Sequence, residues 1–161
     1  MKAAVITISD KGSRGEREDL SGQEIITLLK DIGAVIAHTE IIPDEKKRIR
    51  DTLIDCADAK NLALIITTGG TGVSPRDVTP DATREVIDKE VPGMAEAMRR
   101  VSAAKTPHAM ISRAVVGIRG NSLIVNLPGS PRAVRENLAV IMPALKHAVE
   151  KIRGDDSECA S

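Results

Sequence analysis

The chain has 161 residues, 42% of them hydrophobic, which suits one domain with a sizeable core. It has no Phe, Trp or Tyr, so Ile, Val, Leu, Ala and Met must fill that core, and stacking of nucleic-acid bases on aromatic side chains is excluded. Lys plus Arg and Asp plus Glu number 23 each, a formal net charge of +0 that argues against nucleic acid as a partner.

Cys56 and Cys159 lack any C-x-x-C spacing, so reduced thiols are expected rather than a disulfide or zinc framework. The apolar run behind Met1-Lys2 is too short for the core of a signal peptide, and no stretch approaches the ~20 apolar residues of a membrane span. A soluble cytoplasmic protein is expected.

Ala3 to Ile8 has the composition of a buried parallel strand. A polar loop, Ser9 to Asp19, leads to a capping box at Ser21-Gly22-Gln23-Glu24. Ile25, Ile26, Leu28, Leu29 and Ile32 then recur at helical spacing up to Gly33. Ala34 to Ile42 reads as the second strand, ended by Pro43-Asp44, and Glu45 to about Lys60 as an amphipathic helix with Ile49, Leu53, Ile54 and Ala57 on one face. Leu62 to Ile66 is the third strand.

That strand feeds a loop with three glycines, Thr68-Gly69-Gly70-Thr71-Gly72-Val73-Ser74-Pro75-Arg76-Asp77. Gly-rich turns bring bare N–H groups close to a ligand, which makes this loop a candidate phosphate cradle. Pro75 replaces the third glycine of a dinucleotide fingerprint and no P-loop lysine follows, so neither common nucleotide loop is present. Thr79 reads as the N-cap of the next helix and Pro80 as its first residue.

After Val91-Pro92-Gly93 a short helix carries Met94, Met98 and Val101 and ends near Lys105. Arg113 to Ile118 and Ser122 to Leu127 flank Arg119-Gly120-Asn121 as a hairpin, so one strand runs antiparallel. Ser130 caps a last helix bearing Val134, Leu138, Ile141, Leu145 and Val149, which Gly154 ends. The expectation is a single three-layer αβα domain over residues 1–154, with a mostly parallel sheet plus an antiparallel hairpin, and a frayed tail over 155–161. Ligands of such sheets gather at the carboxyl ends of the strands, where the loops Ser9 to Asp19, Pro43-Asp44 and Thr68 to Asp77 fall.

Asp44 and Asp77 follow strands at that edge. Two carboxylates there can hold magnesium against nucleotide phosphates, although each has a local reading too, Asp44 as a helix cap and Asp77 as an Asx turn. His38, His108 and His147 have no metal-ligand spacing and are expected to be structural or solvent-facing. Ser102 and Ser112-Arg113 could hold an anion or be ordinary surface residues.

Several motifs in order resemble the molybdopterin adenylyltransferase family of molybdenum cofactor synthesis, which includes bacterial MogA and MoaB proteins and the G domain of gephyrin. They are Ser9-Asp10, Ser13-Arg14-Gly15 with Asp19 and Ser21-Gly22, Ile42-Pro43-Asp44-Glu45, Thr68 to Gly72 with Pro75 to Pro80, Ser102 with Thr106-Pro107, Ser112-Arg113, and Asn126 to Pro131. The resemblance spans about Lys2 to Gly154. It implies transfer of AMP from ATP to the terminal phosphate of molybdopterin, with Mg2+ and two catalytic, metal-holding aspartates falling on Asp44 and Asp77. It places the nucleotide on Thr68, Gly69, Gly70, Thr71, Gly72, Pro75 and Arg76. Molybdopterin falls to Asp10, Ser13, Gly15, Asp19, Ser102, Ser112, Pro128, Gly129 and Ser130. Homotrimers, sometimes paired into hexamers, are implied as well. Asp81 stands where the family often has Glu, and the aromatics of other members are absent. A non-catalytic molybdopterin-binding or scaffolding member of the same fold is the alternative, since some relatives keep the fold without the activity.

Overall fold

The computed structural model describes residues 1–155. Among the described residues six strands form one mixed sheet: β1 (Lys2–Ile8), β2 (Val35–Ile42), β3 (Leu64–Thr68), β4 (Lys89–Glu90), β5 (Val116–Arg119) and β6 (Ser122–Leu127). Their spatial order is β2-β1-β3-β6-β5-β4. β1 pairs parallel with β2 and β3, and β3 with β6, whereas β5 pairs antiparallel with both β6 and β4. The expected three-layer fold, its parallel centre and its β5–β6 hairpin are all present.

Alternation along the central strands sorts the core into two layers. Ala3, Val5, Leu64, Ile66, Leu123 and Val125 face one way and join residues of α2 (Leu20–Asp31), which follows the one-turn helix α1 (Asp10–Ser13), and of α5 (Pro92–Ala103) and α6 (Pro131–Ile152). Ala4, Ile6, Ile8, Ile65 and Ile124 face the other way, onto α3 (Lys46–Ile54) and α4 (Thr79–Val86). Burial on both faces explains the unbroken apolar runs of β1 and β3. Edge strand β2 instead alternates in exposure. No helix among the described residues is long and apolar enough to cross a membrane.

Several boundaries differ from expectation, each for a local reason. α2 starts at Leu20 because Asp19, not Ser21, caps it by accepting from the Gly22 N–H at 2.8 Å. The third strand is displaced two residues along, so that Thr67 and Thr68 belong to the sheet and are fully buried. The helix expected to run to Lys60 loses α geometry at Ile54 and continues as one π turn, Asp55–Ala59. Thr79 is inside α4 and Val78 precedes it as the cap residue, with no side-chain cap bond. β5 begins at Val116 rather than Arg113. The expected tail lies outside the described residues except for Asp155, whose N–H still donates to the Glu150 carbonyl.

The chain moves from β1 outward to β2, then crosses back to place β3 on the other side of β1. The loops after β1 and β3 therefore diverge, and a crevice opens between them at the carboxyl edge of the sheet. The loop after β6 borders the same edge, because β6 is parallel to β3.

Candidate functional site

A cavity of about 360 Å³ occupies that crevice. Its walls include Thr7 and Ser9 from the end of β1, Asp19 at the start of α2, Asp44 after β2, Thr68 to Gly70 after β3 and Gly129-Ser130 after β6. Beside it, about 260 Å³ lies between α5, the 3-10 turn Pro107–Ile111 and the start of α6, lined by Ser102, Thr106, His108, Ser112, Pro128 and Asn137 among others. The chain passes directly from Gly70 on the first cavity to Thr71 on the second, and from Gly129 on the first to Pro128 on the second.

The glycine loop has its shape because no side chain fits there. Gly69 has φ +101°, and a Cβ on it would run into the carbonyl oxygen of Ile8. Gly70 has φ +64°, and its Cβ would stand 2.5 Å from Thr79 Oγ1 and 3.1 Å from Asp44 Oδ1. Buried Thr79 donates its hydroxyl to the Gly69 carbonyl at 3.0 Å. Thr68 Oγ1 donates to the Pro128 carbonyl at 2.7 Å, which ties the loops after β3 and β6 together.

Asp44 is half-buried and does not cap α3: one carboxylate oxygen accepts from the Asp10 N–H at 2.8 Å, while the other faces Gly70. Burial raises its pKa above the usual carboxylate value, and the charges of Asp10 and Asp77 push in the same direction. Asp77 Oδ2 accepts from the Ser74 N–H at 2.8 Å, so this carboxylate braces its own loop. It lies against Gly72, while Asp44 lies against Gly70. The two carboxylates flank one loop and interact electrostatically. Among the described residues no group of three His, Cys, Asp or Glu side chains is placed to hold a metal.

Asp10 holds the bidentate fork of Arg76 at 2.8 and 3.0 Å. The hydrogen bond from Arg76 lowers the pKa of Asp10, and the same bond raises that of Arg76. The resemblance assigned these two residues to different ligands, yet they are joined to each other at the rim. Ser13 ends the short helix Asp10–Ser13 and Gly15 lies on the turn behind it; both are exposed and line neither cavity, and the Ser13 hydroxyl donates to the Asp10 carbonyl. Ser102 and Ser112 line the second cavity with Pro128. Asp19, Gly129 and Ser130 line the first. Gly72, Pro75 and Arg76 lie outside both.

Sequence reasoning passed over several groups. Arg17 and Glu18 line the first cavity, and Thr7 donates to Asp19 Oδ2 at 2.7 Å. Asn126, noticed only as part of a motif, is fully buried and donates to Thr67 and Thr83 at 3.0 Å each, directly beneath the glycine loop. A lone Asn inside the apolar run of β6 was the available signal. Arg113 does not offer a free anion site, because its guanidinium is already engaged by Gly72, Asp77 and Asp81. Thr106, noticed only within a motif, His108, expected to be structural or solvent-facing, and Asn137 line the second cavity.

Residues 4–147 match a family described as "Probable molybdopterin binding domain". The chain is 42% identical over 153 residues to the molybdopterin adenylyltransferase of Helicobacter pylori strain J99, covering 94% of this chain and 87% of that one. It is 39% identical over 149 residues to the molybdopterin adenylyltransferase of Escherichia coli K12, covering 89% and 75%. Among solved structures, the molybdopterin biosynthesis enzyme MoaB of Thermus thermophilus superposes with a TM-score of 0.90 at 48% identity, covering 95% of this chain and 96% of that one. MogA superposes with a TM-score of 0.90 at 38% identity, covering 94% and 99%. With the family match spanning most of the fold and both cavities, this chain belongs to the molybdopterin-binding family of molybdenum cofactor biosynthesis.

Proposed function

We propose that this chain is a molybdopterin adenylyltransferase that moves AMP from ATP to the terminal phosphate of molybdopterin. The observation that carries the reading is the pair of cavities meeting at Thr71 and Pro128-Gly129, with Asp44 and Asp77 flanking the glycine loop beside them. An oxygen of the molybdopterin phosphate forms a bond to the α-phosphorus of ATP, the bond from that phosphorus to the bridging α,β-oxygen breaks, and pyrophosphate leaves. The nucleophile is already an anion, so no side chain has to activate it.

The chain's contribution is alignment of two anions that repel each other. The first cavity receives the ATP phosphates on Thr68, Gly69 and Gly70. The second receives the pterin among Ser102, Ser112 and Pro128. Glu18, Asp19 and Asp44 against Arg17 leave the first cavity negative, and polyphosphate needs a counter-cation to enter it. Magnesium suits carboxylate oxygen donors, and Asp44 and Asp77 are the residues that would hold it. When bound, it supplies charge neutralisation on the phosphates. Arg76, anchored by Asp10, and Arg17 add cationic charge at the rim.

Trimeric assembly in the cytoplasm belongs to the same proposal. Exposed Val73, Met110 and Ile111, on segments linked through Arg113, offer apolar surface for it. Light scattering tests that part.

The chemistry is tested by incubating the protein with molybdopterin, ATP and magnesium and weighing the product. Adenylylated molybdopterin with equimolar pyrophosphate supports the proposal. Tight molybdopterin binding without product overturns it in favour of a binding or scaffolding role.

A further inference from the structure

Loops that cradle phosphate must hold their backbone still, and a loop of glycines cannot do this through its own side chains. The segment from Thr71 to Asp81 is held from outside, by one residue 32 positions or more away. Arg113 donates its main-chain N–H to the Thr71 carbonyl at 2.8 Å and its Nε to the Gly72 carbonyl at 2.8 Å. Nη2 donates to the Asp77 carbonyl, and Nη1 and Nη2 grip the Asp81 carboxylate at 3.0 and 2.9 Å. Four of the five guanidinium N–H groups are thereby engaged, the acceptors Thr71, Gly72 and Asp77 lie on one loop with Asp81 in the first turn of α4, and the neighbouring Ser112 lines the second cavity.

We propose that Arg113 is a positioning residue for nucleotide, its fork clamping the Gly72 to Asp81 backbone so that Asp77 and the glycine loop keep the shape that receives ATP. It touches no reacting atom and acts through the loop. A lysine cannot do the same work, because an ammonium is a point charge without the planar fork that spans two carbonyls and a carboxylate. Asp81 is the anchor that orients the fork. A glutamate there keeps the carboxylate, whereas an asparagine loses the charge and the bidentate acceptor.

The inference rests on the adenylyl-transfer reading for its ligand, but not for the clamp itself, and the two are separable by experiment. In the ligand-free full chain, amide hydrogen exchange at Ser74, Asp77 and Thr79 should quicken at least about tenfold in Arg113→Lys and in Asp81→Asn, and stay near wild type in Asp81→Glu. Titration with magnesium and α,β-methylene-ATP, which cannot be cleaved at the reacting bond, should show an affinity loss of about tenfold or more in the first two variants and recovery in the third. In turnover, KM for ATP should rise while KM for molybdopterin stays within about twofold.

Unchanged exchange in Arg113→Lys overturns the clamp whatever the protein does with ATP. Faster exchange with unchanged nucleotide affinity, or a parallel rise of both KM values, overturns the positioning role and leaves Arg113 a structural residue. Failure of the wild-type chain to bind the analogue, with the exchange result as expected, overturns the adenylyl-transfer reading and the nucleotide assignment together while the clamp stands.

Discussion

Asp10 and Asp44 hold each other reciprocally across the site: the Asp10 N–H donates to Asp44 Oδ2 at 2.8 Å, and the Asp44 N–H donates to Asp10 Oδ1 at 3.0 Å. Asp10 also carries the Arg76 fork. The loops after β1, β2 and β3 are therefore linked through one carboxylate, and the position of Asp44 depends on it.

Asp10→Asn keeps an oxygen for the Asp44 N–H but loses the charge that pairs with Arg76. The Arg76 side chain is largely exposed, so the pair adds little to stability, and Tm should fall by no more than about 2–4 °C. Turnover should fall about tenfold or more as Asp44 and Arg76 lose register. Asp10→Ala removes the acceptor as well and should cost a further ~1 kcal/mol. Circular dichroism melts beside rate measurements check both, and full turnover by Asp10→Asn would remove Asp10 from the site's support.

The glycine loop allows a graded test of backbone strain. Gly15 has φ +73° but open space around it, so Gly15→Ala should cost only the left-handed penalty of about 1–2 kcal/mol. Gly70→Ala adds contact with Thr79 and Asp44, and Gly69→Ala adds contact with the immovable Ile8 carbonyl. The expected order of destabilisation is Gly15, Gly70, Gly69, with Gly69→Ala above ~3 kcal/mol. Urea unfolding measures it, and equal losses at all three would show that the loop relaxes freely.

The difference between these glycines marks what sequence could and could not reveal. The unbroken apolar runs of β1 and β3 and the helical spacing of α6 made the layered fold readable, because a strand covered on both faces is apolar throughout and a helix covered on one face is apolar at a period. Asp44, Asp77 and the loop glycines were readable as a group because strand ends converge on one edge. The local caps were not. Ser21 satisfies a capping-box pattern with Glu24 and Asp19 does not, yet it is the Asp19 carboxylate, held by the Thr7 hydroxyl, that accepts the Gly22 N–H at the helix start. The division into two cavities was hidden too, since Thr71 and Pro128-Gly129 become a boundary only when β3 and β6 lie side by side.

Asn126 should prove to be a structural support for the loop rather than a replaceable polar residue. Its amide donates to Thr67 and Thr83, its oxygen accepts from the Val115 N–H at 3.2 Å, and Thr83 donates in turn to the Thr79 carbonyl at 2.8 Å. Asn126→Leu leaves the Val115 N–H buried and unpaired and breaks a connected network, an expected loss of ~2–4 kcal/mol. The urea midpoint should drop with an unchanged m value. A neutral effect would mean that the network contributes only shape.

The Asp81–Arg113 pair gives a pH dependence whose sign can be worked out. The hydrogen bond from Arg113 holds the Asp81 pKa below its ordinary value of 3.8. A carboxyl depressed by folding adds stability that is fully present above the unfolded value and is lost as pH falls through the lower, folded value. Arg113 stays charged throughout, its own pKa raised chiefly by the bond to Asp81. The two side chains are 40% and 35% exposed, so solvent and salt screen the pair and the effect should be modest. Wild type should therefore be more stable than Asp81→Asn by a constant margin at neutral pH, and the margin should close only below about pH 4. Added salt should narrow it at about pH 7. Denaturant unfolding of both proteins from about pH 7 down to about pH 3 reads the difference directly, and a margin that persists undiminished at the acid end would assign the stabilisation to packing of Asp81 rather than to its charge.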